Sequence, residues 1–441
     1  MLKSFDPSNG DLVGEVATTP AEDIDAIVAD AHLAQKKWAK LNVTERVAIL
    51  NSAYEDLAQQ INPLAELLSR EMGKDLRRSS GEVTGVAMGS PYTTDGVARA
   101  IQPKQIDGGM IEYVPLGVAA VISPWNYPLA MANNLIVPAL IAGNSVVFKP
   151  SEETPLIAQA FAETLNRHLP SNVLQIVHGG RDLGKAIVEA DVNIIAFTGS
   201  QAAGKDIMRR SASGLKRLVM ELGGNDPMIV LPDADLKRAA QFAVASSFEN
   251  AGQMCTSTER IYVHESVADR FETIVFDIAQ RYQSGPWDQQ GVNIGPIINN
   301  TQRGKVIDHI DDAISKGARV LLGGGDHPEH YVAPTVLADI TPDMRMETEE
   351  TFGPVVAISR YKDIDTAVDR ANDSEFGLGA VVFGNKAAVE IGRRLEAGMI
   401  GINGGPGGGG DAPWVGAKQS GIGFHGSDDG HRQFTQVRVI G

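Results

Sequence analysis

Through the middle of the chain, continuous apolar runs of strand length alternate with amphipathic stretches of helical length. The runs are residues 118–122, 145–148, 173–177, 194–197 and 218–221; stretches carrying Leu156, Phe161 and Leu165, or Ile207 and Met208, lie between some of them. Continuous Val/Ile/Leu runs joined by crossover helices predict a parallel sheet covered on both faces. Ligands of such sheets bind outside the carboxyl ends of the strands. Ahead of this region, Asp6-Pro7-Ser8-Asn9-Gly10-Asp11 is a turn cluster that predicts an opening hairpin. Thr19-Pro20-Ala21-Glu22 then reads as an N-cap, a proline at the first helical position and a capping-box glutamate. Ile24, Ile27, Val28, Ala31 and Trp38 give the helix that follows its buried face; further helices are expected from Thr44 and from Pro63.

After Gly223 a second series begins: residues 228–231, a helix carrying Ala239, Ala240, Ala243, Val244, Ser247 and Phe248, residues 260–264, a helix over 267–282, and strands near Val320 and Val355. It reads as a second α/β domain. Residues 404–411 are glycine-rich, a linker or a loop bordering a cleft. Residues 434–440 alternate as a half-buried strand does, and a terminal strand needs a partner, another subunit being one candidate.

Composition narrows the class. With 441 residues, 43% of them apolar and 21% charged, the chain is globular and long enough for two or three domains. A net charge of −16 disfavours nucleic acid or an anionic membrane as partner. The first residues lack a signal-type apolar run, and the longest apolar runs, near 135–143 and 115–122, are short of a membrane span, so a reducing cytoplasm is expected. Cys255 is the only cysteine, which excludes an internal disulfide and a multi-cysteine metal site. It follows the 239–248 helical pattern, with Gly252 expected to end that helix. A free thiol there is either a small buried hydrophobe or a nucleophile facing a cleft.

Four polar clusters stand at the expected strand ends: Ser123-Pro124-Trp125-Asn126-Tyr127-Pro128, Lys149-Pro150-Ser151-Glu152, Phe197-Thr198-Gly199-Ser200, and Glu221-Leu222-Gly223-Gly224-Asn225. In that order, with Cys255 34 positions after Glu221, they resemble the aldehyde dehydrogenase superfamily. Glu349-Glu350-Thr351-Phe352-Gly353-Pro354, Asn372 to Gly377-Leu378, and Pro413-Trp414-Val415-Gly416 through Ser420-Gly421 continue the likeness over nearly the whole chain.

The resemblance implies a Rossmann-like parallel-sheet cofactor domain (1–105 and 121–222), an α/β catalytic domain (223–420) and a small β oligomerisation flap (106–120 and 425–441), assembled as dimers or tetramers. It implies oxidation of an aldehyde to the acid, hydrolytic rather than coenzyme A-acylating. Cys255 forms the thiohemiacetal, Asn126 and the cysteine N–H hold the oxyanion, and Glu221 activates water against the thioester. Lys149 and Glu152 are expected at the adenosine ribose, where a glutamate favours NAD over NADP without excluding NADP. Ser200 is expected at the pyrophosphate, Glu350 at the nicotinamide ribose and Phe352 at the nicotinamide end. Ser123, Pro124, Trp125, Phe197, Gly199 and Leu222 complete the implied cofactor contacts. No metal is implied. Two departures stand out: Trp414-Val415 where the family has Phe-Gly, and Phe424-His425 where it has Arg-Glu. An NADP-accepting semialdehyde dehydrogenase and a redox-independent thiol esterase are the alternatives.

Overall fold

The computed structural model describes residues 1–441 except Asp326 and Gly408, so part of the 404–410 loop lies outside the described residues. Among the described residues, four sheets form. The expected central strands appear as Val118–Ile122, Ser145–Lys149, Leu174–Ile176, Ile194–Thr198 and Arg217–Glu221, all parallel where they pair. Arg217–Glu221 carries one more neighbour, the short antiparallel strand Gly421–Ile422, with Gly421 opposite Glu221. Side chains alternate across this sheet as strand geometry requires. Ala119 and Val121 pack into a core with Trp38, Phe148, Phe161 and Phe434, whereas Val118 and Ala120 pack with Ile24, Ile187 and Ile195 on the other face. Each fully buried side chain of this size stabilises the fold by about 1.5–3 kcal/mol.

The second sheet runs Arg319–Leu322, Thr335–Ala338, Val355–Tyr361, Thr258–His264, Asp226–Val230, Gly379–Phe383 and Met399–Ile402, parallel except for its first strand. Met228 and Val230 face one core and Ile229 and Leu231 the other. The two large sheets meet in sequence at 222–225, where the chain leaves Glu221 and immediately enters Asp226–Val230.

Residues 434–440 end as the strand Thr435–Ile440, which pairs antiparallel with Gly109–Pro115 of the same chain. The 106–120 range expected for the flap divides: Gly109–Pro115 lies in this three-stranded sheet, whereas Val118–Ile122 belongs to the six-stranded one. The half-buried alternation is not seen in the single chain, because Val437, Val439 and Ile440 are 49%, 64% and 46% exposed.

The first helix also differs at its start. The chain makes a 3₁₀ turn over Ala21–Asp23 before the helix Ile24–Trp38, with no side-chain cap at Pro20. The Thr19 hydroxyl instead accepts from the His178 N–H at 3.2 Å, so a tertiary contact has taken the oxygen that would cap the helix. The capping box forms one helix later, where Asn42 and Glu45 bond reciprocally at the start of Val43–Ala58.

Candidate active site

The helix Leu236–Ser247 ends because Phe248 leaves helical geometry. Left-handed backbone begins at Asn250 (φ 51°) and Ala251 (φ 58°), two residues before the glycine expected to supply it. Such a conformation costs a non-glycine residue of order 1 kcal/mol or more and persists only where surroundings enforce it. Here the enforcement is a buried side-chain frame: Asn250 Nδ2 donates to the Asn126 and Gln253 carbonyls at 3.2 Å each. Gly252 (φ 74°) has a different duty, since a Cβ there would lie 2.0 Å from the Gly353 carbonyl oxygen. The loop therefore closes against residues 352–353 and carries Cys255, half-buried, out of the packed helix.

Two other loops converge on it. Asn126, buried, donates from Nδ2 to the Gln253 carbonyl at 3.0 Å. At the end of Arg217–Glu221, a Cβ on Gly224 would sit 2.4 Å from the Cys255 carbonyl oxygen, so only glycine allows this approach. The Glu221 turn is tied down by Ser420, whose hydroxyl donates to Gly223 O at 2.7 Å and accepts from Gly377 N at 2.9 Å. Burial, and then the carboxylates of Glu221, Asp226 and Glu350, raise the Cys255 thiol far above its ordinary value; the Thr256 N–H opposes them. The sulfur is thus held as a thiol until a base removes its proton. The Cys255 N–H has no acceptor among the described residues.

Glu350 accepts from the Gly224 N–H at 3.0 Å, and burial raises its carboxyl. Phe352, at φ 56°, meets Trp125 edge-on with ring centroids 5.6 Å apart. Glu259 holds this turn by accepting from Thr351 N (2.7 Å) and Phe352 N (2.8 Å), its carboxyl raised by burial to about 8.

On the opposite side a cleft of about 390 Å³ opens at the carboxyl ends of the first sheet. Its lining includes Lys149, Phe197, Ser200 and three cations, Arg181, Lys185 and Arg210. Lys149 Nζ donates to Pro150 O at 3.0 Å and contacts Glu152 at 3.3 Å. Ser200 caps the helix Gln201–Ser211, leaving its first N–H groups directed outward, a geometry suited to phosphate oxygens. Gly199 and Gly204 have no room for a Cβ against Phe197 and Leu222, which packs the loop tightly under the cleft. Ser123 is buried with its hydroxyl unpartnered, and its N–H donates to Lys149 O at 3.2 Å; Pro124 is half-buried beside it. These residues fit a dinucleotide.

Several participants carried no signal in the sequence. Lys74 is fully buried: its ammonium donates to Glu82 (2.7 Å) and the Asn126 carbonyl (2.8 Å) and lies 3.8 Å from the Tyr127 ring centroid. Glu82 in turn accepts from Leu129 N and Ala130 N at 3.0 Å each. This buried pair fixes the Asn126 loop. Asp226, one of the carboxylates acting on Cys255, is raised by burial to about 7. A recess of about 510 Å³ beside Asn126 is walled by Arg77, Arg78, Tyr127, Asn134 and Glu249, with Gly81, Gly85 and Gly89 of the helix Leu76–Ala100 leaving its floor bare. Arg78 is neutralised there by Asp75 and by Glu249, the latter at 2.9 Å, and Tyr127 donates to Glu249 at 3.0 Å. A second recess of about 300 Å³ shares Thr93 and Asn134 with it and reaches Trp414 and His425. Cys255 lies on neither lining; the loops that position it do.

The sequence profile of the aldehyde dehydrogenase family matches residues 1–440. The chain is 36% identical to the NADP(+) succinate-semialdehyde dehydrogenase GabD of Escherichia coli (strain K12), over 98% of this chain and 92% of that protein. Among solved structures, an NADP-dependent enzyme from E. coli superposes with a TM-score of 0.96 at 35% identity, covering 100% of this chain and 94% of that one. A succinate-semialdehyde dehydrogenase from Burkholderia pseudomallei superposes at 0.95 with 36% identity, covering 99% and 93%. The chain belongs to the aldehyde dehydrogenase family and oxidises an aldehyde with NAD(P) as acceptor.

Proposed function

We propose that Cys255 is the nucleophile of this oxidation, Asn126 its oxyanion donor and Glu221 the base that activates water against the thioester. The observation that carries this reading is the closure of two distant loops on one sulfur: Asn126 bonds the residue two before it, and Gly224 touches its carbonyl. The Asn126 amide has two N–H donors, of which Gln253 O takes one, leaving the second for an oxyanion. The thiolate adds to the aldehyde carbon, forming a thiohemiacetal. The cofactor, when bound, accepts the hydride that this carbon then expels. The resulting thioester is cleaved by water that has given its proton to Glu221, releasing the acid and the free cysteine.

The residues that would hold the cofactor are Lys149, Glu152, Ser200, Glu350 and Phe352, with Ser123, Pro124, Trp125, Phe197, Gly199 and Leu222 around them. Glu152 favours a free 2′-hydroxyl, hence NAD, whereas Arg181, Lys185 and Arg210 on the cleft wall let NADP be accepted as well. GabD is an NADP enzyme acting on a semialdehyde that carries a carboxylate. In this chain Arg78 of the recess is already paired with Asp75 and Glu249, and Arg77 lies 4.0 Å from Asp75. An uncharged aldehyde therefore fits better than a carboxylate-bearing one. The division into cofactor domain, catalytic domain and flap follows the two large sheets and the three-stranded sheet, and the exposed Val437 and Val439 support a homodimer or homotetramer. No helix among the described residues is long and apolar enough to cross a membrane, and cytoplasmic residence is proposed. Hexanal, benzaldehyde and succinic semialdehyde, each tried with NAD and NADP, test the assignment. NADH formation that Cys255→Ala abolishes is expected; appreciable turnover in that variant overturns it. A preference for succinic semialdehyde overturns the reading of Glu249.

A further inference from the structure

The two places where the sequence departs from the family pattern meet in space. The Trp414 N–H donates to the His425 carbonyl at 2.9 Å, forming an isolated bridge between the segments, and both residues line the same recess. The His425 backbone is held close on its other side by Gly430, where a Cβ would lie 2.7 Å from the His425 carbonyl carbon. From this fixed position the imidazole points into the sheet. Its Nε2 lies 2.8 Å from Glu221 Oε1, and both side chains are buried.

A buried carboxylate is expensive unless it is paired. Neither oxygen of Glu221 has an aligned hydrogen-bond donor among the described residues. The His425 contact itself is near enough for an ion pair but lacks the alignment of a hydrogen bond. At 2.8 Å a ring nitrogen and a carboxylate oxygen attract only with a proton between or beside them. The arrangement sets the imidazole directly against the proposed base.

We infer that His425 is the positioning residue that holds the Glu221 carboxylate in place for water activation in thioester hydrolysis. The inference rests on the assignment of Glu221 as the base. The other titratable groups around His425 leave it the nearest. His431 on the helix Ser427–Arg432 is itself kept neutral, lowered to about 4 by burial and then by His425. Asp428 on that helix and Asp411 share Arg99 of the helix Leu76–Ala100, at 4.0 and 3.4 Å, and Tyr92 donates to Asp411 at 3.1 Å.

The test compares His425→Gln with Glu221→Gln, using hexanal and NAD. In His425→Gln the first-turnover burst of NADH stays intact. Steady-state kcat falls about 10-fold or more, with KM for both substrates within about twofold. In His425→Ala, added imidazole restores turnover. A His425→Gln steady-state rate equal to the wild type overturns the inference, as does a loss in His425→Ala that imidazole does not reverse. Glu221→Gln separates the two ideas. If it turns over slowly while His425→Gln is normal, only His425 is misassigned; if it turns over at the wild-type rate, the base assignment has failed and takes the inference with it.

Discussion

Replacing Asn126 by alanine removes one donor from the site and little else. The Asn126 backbone carbonyl stays held by Lys74 Nζ at 2.8 Å and Asn250 Nδ2 at 3.2 Å, so the loop keeps its place. The Gln253 carbonyl loses its bond from Asn126 Nδ2 at 3.0 Å but retains one from Asn250 Nδ2 at 3.2 Å. The stability loss is therefore that of one hydrogen bond whose acceptor remains satisfied, about 0.5–1.5 kcal/mol. The catalytic loss is larger. An oxyanion donor is worth about 2.7–4 kcal/mol of barrier, or roughly 10²–10³ in kcat, because it acts on charge that develops only in the transition state. Stopped-flow NADH formation with hexanal, beside a thermal melt, reads both quantities. The expected result is a first-turnover rate reduced by about 10² or more with Tm lowered by only a few degrees. A rate within about tenfold of wild type in a folded variant would refute the oxyanion role. Asn126→Asp should be slower still, since a carboxylate opposes the developing charge.

Other outcomes follow from the same geometry. Glu221→Gln keeps its hydride burst and slows steady turnover by about 10²-fold or more, measured as burst amplitude against the linear phase. Glu152→Gln raises kcat/KM for NADP relative to NAD by about tenfold, because one negative charge leaves a cleft already walled by Arg181, Lys185 and Arg210; an unchanged ratio would show that Glu152 does not select the cofactor. His178 is lowered by burial to about 4 and bonds Gln159 at 2.7 Å. A depressed histidine contributes stability that is fully present above pH 6.5 and is lost as pH falls toward 4. His178→Gln should thus be less stable than wild type at pH 7, and the gap should close by on the order of 1–2 kcal/mol at pH 4 in denaturant melts.

The strand pattern was legible because parallel strands buried on both faces need uninterrupted apolar runs, and the five runs read as strands in the first half became strands, whereas the longer run at 135–143 forms the end of the helix Pro128–Ile141. Asn126, Lys149, Ser200 and Glu221 could be placed because strand-end residues share one edge of the sheet. What could not be read depends on tertiary enforcement. The 25-residue helix Leu76–Ala100 contains Pro91 and four spaced glycines, a composition with poor intrinsic helicity. It forms because Val83, Val86, Ala87, Val97 and Ala100 pack into the first core. Lys74 looks in sequence like any solvated lysine, and only the fold buries it on Glu82. Thr19 carries a capping signal, but its hydroxyl serves His178 from a strand end 159 residues away. His425 was visible as a departure from the family pattern; that its ring meets Glu221 required the pairing of Gly421–Ile422 with Arg217–Glu221.

The covalent role of Cys255 is open to one direct measurement. Glu221→Gln enzyme mixed with hexanal and NAD, quenched in acid within the first turnover and digested, should yield a single modified peptide. That peptide contains Cys255 and is heavier by the hexanoyl group, in an amount equal to the NADH burst. A burst of NADH with Cys255 unmodified, or an acyl group on any other residue, would contradict the account.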